Sequence, residues 1–262
     1  MNSLKRLLKS LVPESARPGI IGLVNRLSGN YLNRGLYGKA KYNQDGLATS
    51  HYGSFLDEAR FRSAYAAGRA TESWDGDVHW RAHVVCWAAA RGAGLPGDFV
   101  ECGVNRGGYA LTAMKYVGFE SLGKRFYLLD TFEGLVAEQL TTEEKKAGLR
   151  GGGYEPCHAA VVRTFATYGS AVRVIRGVVP DTLAEVDTEE VAFLSIDMNA
   201  REPEVRAAEF FWDRLVSGAA MILDDYGWRK HAAQRVAFDE FARRRGVPLL
   251  GLPTGQGLIL KP

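Results

Sequence analysis

The feature that most constrains the fold is an alternation, from Gly97 onward, of short apolar runs with longer helical stretches. Such alternation is typical of parallel sheets built from βα units. It predicts strands at Asp98–Cys102, Phe126–Asp130, Val172–Arg176, Val191–Asp197, Ala219–Leu223, Pro248–Leu252 and Gly257–Leu260. Helices are expected at residues 107–118, 155–168, 181–186, 202–215 and 230–245. The predicted fold is therefore α/β, Rossmann-like, with helices on both faces of the sheet.

The first 96 residues are predicted to form a helical and irregular extension with a lid, ahead of a sheet domain at 97–262. Four leucines at helical spacing predict a short amphipathic helix that ends before Pro13; they are Leu4, Leu7, Leu8 and Leu11. This basic helix is a candidate for docking on a membrane surface or a partner, with packing on the body or on a second subunit as the favoured alternative. Residues 25–43 are expected to be irregular, and residues 54–70 and 77–91 helical.

Charge and cysteine content argue against several classes of protein. Residues 1–41 carry eight Lys or Arg and one acid, whereas the whole chain has a net charge of +3. The body is therefore mildly acidic, which argues against nucleic-acid binding there. No apolar run approaches the roughly 20 residues of a membrane-spanning helix. Three cysteines without CxxC spacing suit a reducing compartment, so a cytoplasmic protein without disulfides is expected.

The first predicted strand runs into a glycine turn that has an acid beside it. Its sequence, VECGVNRGG, places Glu101 two residues before Gly103 and leads through Gly107 into a helix. A dinucleotide fingerprint would need GxGxxG instead. A carboxylate at this position repels a pyrophosphate but attracts an ammonium group, such as the amino-acid end of S-adenosylmethionine. The alternative role for Gly107 and Gly108 is close helix packing.

The next two strand ends are compatible with an adenosine-containing ligand. Asp130 ends the second strand, where an acid commonly accepts hydrogen bonds from ribose hydroxyls. Capping of the following turn explains Asp130 equally well. Gly177 and Val178 follow the third strand, where a small residue and an apolar side chain can flank a flat adenine ring. These positions do not separate S-adenosylmethionine from a nicotinamide cofactor.

Three acids follow the fourth and fifth strands, namely Asp197, Asp224 and Asp225. Buried anions at one edge of a sheet repel one another unless a positive charge lies between them. A divalent cation resolves this repulsion, and oxygen ligands with open positions favour Mg²⁺ over Zn²⁺. His79 and His83, four apart on a helix, lack an HExxH glutamate, so a structural role is favoured for them over zinc binding.

Together these motifs resemble the macrocin O-methyltransferase (TylF-like) family of sugar methyltransferases that use S-adenosylmethionine. The resemblance covers about residues 97–260 and rests on GDFVECGVNRGG, YLLDTFEGL, IRGVVPDTL, the Asp197 strand end and ILDDYG. It implies a class I methyltransferase fold with seven strands, the last of them antiparallel. It also implies a cofactor site and a Mg²⁺ site. The implied cofactor residues are Glu101, Gly103, Asn105, Gly107, Asp130, Thr131, Gly177 and Val178, and the implied metal ligands are Asp197, Asp224 and Asp225.

The chain departs from the family where acceptors bind. The family pattern Asp-x-Asp-x-Tyr reads Asp197-Met198-Asn199-Ala200-Arg201 here, so the acceptor contact of the second acid is not expected. Methyl transfer to a hydroxyl still needs a general base. Asp197 is one candidate and His231 is the other, with a solvent-exposed helix start as the alternative role for His231.

The main hypothesis is a Mg²⁺-dependent O-methyltransferase acting on a sugar or glycoside with neighbouring hydroxyls, and a homo-oligomer is compatible with it. A nicotinamide-dependent oxidoreductase is the second hypothesis. The absence of a GxGxxG motif from the sequence argues against it, and it does not explain the Asp224–Asp225 pair. A non-catalytic protein that docks through its basic arm is the third hypothesis. It gains support if Asp197 lies too far from Asp224 and Asp225 to share one ion.

Overall fold

The structure, a computed structural model, describes residues 40–262. Its strands in chain order are β1 (Tyr42–Gln44), β2 (Leu47–Thr49), β3 (Asp98–Cys102), β4 (Phe126–Asp130), β5 (Val172–Arg176), β6 (Val191–Ile196), β7 (Leu215–Leu223), β8 (Leu250–Gly251) and β9 (Gly257–Leu260). The last seven form one sheet in the order β5-β4-β3-β6-β7-β9-β8. Strands β3 to β7 are parallel, and β9 is antiparallel to β7 and β8. The expected mostly parallel sheet of seven strands is confirmed.

Helices cover both faces of this sheet. In chain order they are α1 (Ala59–Arg69), α2 (His79–Ala93), α3 (Gly108–Val117), α4 (Thr142–Lys146), α5 (His158–Phe165), α6 (Arg201–Trp212) and α7 (Ala232–Arg245). Helices α1, α2 and α3 pack together, with α2 against β6 and β7, while α6 packs against α7 and β6. Short 3-10 turns complete several connections, including Asp181–Glu185 and Arg229–His231.

Two apolar cores lie on opposite sides of the sheet. Strand β4 shows the division, because Phe126 and Leu128 belong to one core whereas Tyr127 and Leu129 belong to the other. Successive strand residues point to opposite faces, so a strand covered on both faces must be apolar throughout. This explains why the central strands read as continuous apolar runs in the sequence.

The predicted and observed elements agree closely in the sheet. Strands β3, β4, β5 and β9 have the predicted bounds, and β6 ends one residue earlier than expected. Strand β7 begins at Leu215 rather than Ala219, and β8 is confined to Leu250–Gly251. The helix expected at residues 181–186 is a 3-10 turn. Helix α4 was not predicted, and a capping box between Thr141 and Glu144 begins it.

The hairpin formed by β1 and β2 corrects the expectation of an irregular segment through residue 43. Tyr42 pairs with Thr49 and Gln44 with Leu47, which leaves Asp45 and Gly46 as a two-residue turn. Both turn residues have positive φ, 53° and 77°, as a type I′ hairpin requires. The Asp-Gly pair was therefore the available sequence signal.

The helices before residue 97 share a core with the sheet domain. Phe61 of α1 and Val85 of α2 belong to the same apolar cluster as Phe99 and Phe193 of the sheet. The division of the chain at residue 97 stays a prediction. The leucine-rich helix expected at residues 4–11 lies outside the described residues.

Two further expectations concern compartment and membranes. Cys86, Cys102 and Cys157 are all buried and free, as expected for a chain without disulfides. In residues 40–262 no helix has both the length and the apolar character to cross a bilayer.

Candidate active site

Two glycines shape the turn after β3. Gly103 has a φ of 90°, and a Cβ atom there would lie 1.9 Å from the carbonyl oxygen of Asp197. Only glycine therefore lets the ends of β3 and β6 approach this closely. Gly107, with a φ of 86°, precedes α3, and a Cβ atom there would lie 2.5 Å from the Phe165 ring. The packing role foreseen for Gly107 is thus observed, and its cofactor contact stays a prediction.

Glu101, the penultimate residue of β3, is a buried acid with one oxygen that accepts no hydrogen bond from the described residues. The residue is 1% exposed, and its Oε2 has no hydrogen-bond partner among the described residues. Burial raises the pKa of its carboxyl well above the ordinary value, and Asp130 and Asp224 raise it further. A cationic ligand beside Oε2 would relieve both effects.

Hydrogen bonds to the side chain of Asp130 connect the glycine turn to the end of β4. Its Oδ2 accepts hydrogen bonds from the backbone N–H groups of Val104 and Asn105, each at 2.7 Å. Its Oδ1 accepts another from the N–H of Phe132, also at 2.7 Å. The turn-capping role weighed for Asp130 is therefore observed. One lone pair, on Oδ1, is left for a ribose hydroxyl, with Thr131 Oγ1 3.3 Å from this oxygen, and the ribose contact stays a prediction.

A cavity of about 420 Å³ lies beyond β4 and β5. Three of the predicted cofactor residues line it, namely Thr131, Gly177 and Val178. The rest of its lining is Glu133, Gly134, Leu135, Val136 and Arg176. Arg176 forms an ion pair with Glu133 at this cavity. The structure thus brings together residues from the second and third predicted strand ends.

The three predicted metal ligands converge at the ends of β6 and β7. Asp197, Asp224 and Asp225 each offer an oxygen, and these atoms lie within 4.8 Å of one another. Oδ2 of Asp225 is buried without a hydrogen-bond partner in the described part of the chain. Burial, and then Asp224, raises the pKa of Asp225 to about 7, while Arg81 lowers it. Burial and both neighbouring acids also raise the pKa of Asp197 well above its ordinary value.

Arg81 was not foreseen as a site residue. From α2 its Nη1 donates a hydrogen bond to Oδ2 of Asp224. Its Nε and Nη2 donate to the two carboxylate oxygens of Asp45 at 2.6 and 2.9 Å. Gln256, also unforeseen, donates from Nε2 to Oδ1 of Asp224 at 2.9 Å. Both oxygens of Asp224 therefore have a protein partner.

His231 is buried rather than solvent-exposed, which corrects the alternative role considered for it. Gln234 donates from Nε2 to Oε1 of Glu204 at 2.9 Å, so its own Oε1 faces Nδ1 of His231 at 2.7 Å as an acceptor. This places the imidazole proton on Nδ1 and leaves a lone pair on Nε2. That Nε2 lies 3.7 Å from Oδ2 of Asp225. Burial lowers the pKa of His231.

Three aromatic residues surround the acids. The Tyr109 hydroxyl is buried without a hydrogen-bond partner among residues 40–262. Tyr154 is 44% exposed, yet burial of its hydroxyl and then the charges of Asp197 and Asp225 raise its pKa. Trp228 is 36% exposed and lies 5.5 Å from the Arg81 guanidinium. Two exposed rings thus accompany the acid cluster.

Asn199 occupies the position of the missing second acid. Its Nδ2 donates a hydrogen bond to Oδ1 of Asp197 at 3.1 Å. An amide cannot take a proton from a substrate, so residue 199 orients Asp197 instead.

The histidines on α2 do not belong to the group of metal-ligating residues found in the described part of the chain. The His83 ring stacks on Phe55 with centroids 3.9 Å apart, and His79 stacks on Tyr65 at 4.2 Å. Their structural role is the one expected.

Residues 58–249 match the family model of macrocin O-methyltransferases (TylF). The match begins 39 residues before Gly97, so the resemblance extends further toward the N-terminus than the motifs had indicated.

Over 162 residues the chain is 28% identical to the 8-demethyl-8-(2,3-dimethoxy-alpha-L-rhamnosyl)-tetracenomycin-C 4'-O-methyltransferase of Streptomyces olivaceus, covering 59% of this chain and 61% of that protein. It is 27% identical over 172 residues to the mycinamicin III 3''-O-methyltransferase of Micromonospora griseorubida, covering 62% and 66%. The chain thus spans just under two thirds of each curated relative.

Among solved structures, the fold is similar to that of the O-methyltransferase NovP. The two superpose with a TM-score of 0.59 at 21% identity, covering 69% of this chain and 79% of NovP. This similarity establishes the class I methyltransferase fold.

Proposed function

The chain belongs to the macrocin O-methyltransferase (TylF) family, and on that basis we propose that it transfers a methyl group from S-adenosylmethionine to a hydroxyl of a sugar or glycoside. The observation that carries the proposal is the joint placement of two incomplete anionic sites. Oε2 of Glu101 and Oδ2 of Asp225 are both buried and unpartnered within the described residues, at strand ends on the same edge of the sheet. One suits an organic cation and the other an inorganic one.

S-adenosylmethionine would supply a methyl group on a positively charged sulfur. In this proposal Glu101 pairs with its ammonium group, and Gly103, Asn105 and Gly107 form the turn around its methionine end. Asp130 and Thr131 would face the ribose. Gly177 and Val178 would flank the adenine, because they line the cavity of about 420 Å³ beyond β4 and β5. The acid at position 101 favours this ligand over a dinucleotide, whose pyrophosphate it would repel.

The acid cluster fits Mg²⁺. Three carboxylate oxygens within 4.8 Å of one another form a hard, all-oxygen donor set. The unpartnered Oδ2 of Asp225 is the atom that most needs a cation. When bound, Mg²⁺ would lower the pKa of an acceptor hydroxyl and hold a neighbouring hydroxyl, which is why we propose a vicinal diol as the acceptor.

The protein's own residues would hold the acceptor and take its proton. Tyr154 and Trp228 offer exposed rings with polar tips, which suit a ligand that combines apolar and hydroxyl faces. Asp197 and His231 are the two groups placed to act as general base, since position 199 holds an amide. His231 presents an unprotonated Nε2 toward the acid cluster, held by Gln234. Replacing each base candidate and comparing kcat would identify the one that acts.

A cytoplasmic location is part of the proposal and is supported by three free, buried thiols. Membrane-surface docking through the basic arm and homo-oligomerisation stay separate predictions.

Calorimetric titration with S-adenosylmethionine tests the donor, and absence of binding would refute the proposal. Mass spectrometry of reactions with nucleotide sugars, glycosides and catechols then identifies the acceptor by the mass of one added methylene. The double variant Asp224→Asn, Asp225→Asn should lose at least about 100-fold in rate, comparable to removal of a key electrostatic contact. Full activity of this variant in the presence of a chelator would exclude the metal role. Hydride transfer to a nicotinamide cofactor would support an oxidoreductase instead.

A further inference from the structure

Arg81 links the N-terminal hairpin to the acid cluster. Its guanidinium contacts Asp45, in the turn of the hairpin, and Asp224, at the end of β7. The arginine side chain is 14% exposed and the two acids are 13% and 3% exposed, so these charges are largely shielded from water. Asp45 is held through both carboxylate oxygens, which is the strong, directional geometry of arginine.

The same guanidinium supplies positive charge to the acids. It opposes the rise in the pKa of both Asp197 and Asp225. The rings of Trp228 and Tyr109 lie 5.5 and 5.9 Å from it, within the range of cation–π attraction. Arg81 is therefore fixed at the position from which it compensates the cluster.

Oδ2 of Asp224 is the oxygen for which Arg81 and a bound cation would compete. Oδ1 already accepts the hydrogen bond from Gln256, and Oδ2 accepts the one from Arg81. A divalent cation bound by all three acids would stand next to the guanidinium. Even at the dielectric constant of water, a unit charge about 5 Å from a divalent cation opposes its binding by more than tenfold.

We propose that Arg81 is the resident counter-ion of the acid cluster, that a divalent cation displaces its Nη1 from Asp224, and that the guanidinium then carries Asp45 and the turn of the β1–β2 hairpin with it. The inference rests on the proposed function only for the location of the cation site. Cation binding and the hairpin turn are thereby linked through Arg81, while the Tyr42 ring of the hairpin still packs on His79 and Trp80 of α2.

Binding of Mn²⁺ followed by electron paramagnetic resonance, without cofactor or acceptor, tests the competition directly. We expect Arg81→Met to bind Mn²⁺ at least tenfold more tightly than the unaltered protein. Arg81→Lys keeps the charge but not the fork geometry, so its affinity should lie between the two. The matched control is Arg91→Met on the same helix, whose side chain donates to the carbonyl of Gly218 instead and should leave Mn²⁺ affinity unchanged.

Hydrogen exchange of the hairpin amides tests the coupling. In the unaltered protein, saturating Mg²⁺ should accelerate exchange in residues 42–49. In Arg81→Met, Mg²⁺ should no longer change the exchange of the hairpin amides, because the side chain that links the acid cluster to Asp45 is absent. Melting in chelator shows that each variant is folded, and Arg81→Met should melt at a lower temperature than Arg91→Met.

The outcomes separate this inference from the proposed function. If the unaltered protein binds Mn²⁺ and Arg81→Met binds it no more tightly, the counter-ion role is wrong and the metal site stands. If no variant binds Mn²⁺, the competition and the metal role both fail, while methyl transfer remains to be measured. Mg²⁺ that slows hairpin exchange in the unaltered protein would overturn the coupling.

Discussion

Replacing Gly103 by alanine should separate the ends of β3 and β6, the strands that lead to the proposed donor and metal residues. Backbone strain and overpacking both lower the free energy of unfolding in this variant. A φ of 90° is unfavourable for any residue with a Cβ atom and costs about 1–3 kcal/mol. The new methyl group would lie 1.9 Å from the carbonyl oxygen of Asp197, and relieving such overpacking costs about 1–3 kcal/mol more.

The free energy of unfolding should therefore fall by about 2–6 kcal/mol. For a domain of this size, about 2–4 °C in Tm corresponds to each kcal/mol, so the expected decrease is roughly 5–20 °C. Gly123→Ala is the matched control, because Gly123 also has a positive φ, 66°, but nothing lies within 4 Å of its Cβ position. That variant should lose only about 1–2 kcal/mol from backbone strain.

Calorimetric melting of both variants, followed by titration with S-adenosylmethionine, completes the assay. Gly103→Ala should also bind the cofactor more weakly, since the turn that holds Glu101 must move. Equal decreases in Tm for the two variants would refute the close approach of β3 and β6 as the reason for glycine at position 103.

Three further predictions follow from the same site. Glu101→Gln should weaken S-adenosylmethionine binding about tenfold or more in calorimetry, because a hydrogen bond between charged groups contributes about 1.5–3 kcal/mol; unchanged affinity would exclude the ammonium contact. Burial raises the pKa of Asp225 from an ordinary value of 3.8 to about 7, so between these pH values the folded protein holds a proton that the unfolded chain releases. The free energy of unfolding of the metal-free protein should therefore fall as the pH rises from about 4 to about 7. Denaturant titrations should show that Asp225→Asn removes the contribution of this carboxyl to the decrease. His231→Gln should lower kcat at least about 100-fold if His231 is the base, while KM for the cofactor stays constant; an unchanged kcat would exclude His231, and a loss in Asp197→Asn counts toward the base only where that variant still binds Mn²⁺ like the unaltered protein.

The sheet could be predicted from the sequence because each central strand is apolar on both faces. Phe126 and Tyr127 point to different cores, yet both are buried, so no polar alternation obscures the strand. The acid cluster was equally accessible, since parallel strands place their carboxyl ends at one edge. Asp197, Asp224 and Asp225 therefore converge as the strand order requires.

Arg81 could not be found in this way. It reaches Asp224 across 143 residues of sequence, from a helix whose docking angle no local pattern encodes. From the repulsion among the three acids the sequence analysis predicted a positive partner and identified it only as Mg²⁺. The structure shows that the guanidinium of Arg81 is also a positive partner of the cluster. The orientation of His231 was inaccessible for a related reason, because Gln234, which contacts its Nδ1, is itself held by Glu204 of another helix.

The place of β6 between β3 and β7 has a consequence for how such a protein can diversify. Neighbouring strands lie about 4.8 Å apart, so the strand bearing Glu101 and the strand bearing Asp224 are separated by roughly 10 Å. That interval is dictated by backbone hydrogen bonding across the sheet and does not depend on the connecting loops. Under the proposed function, replacement of the segments around Tyr154 or Trp228 would thus alter which acceptor is admitted while leaving the spacing between the proposed donor and metal sites unchanged.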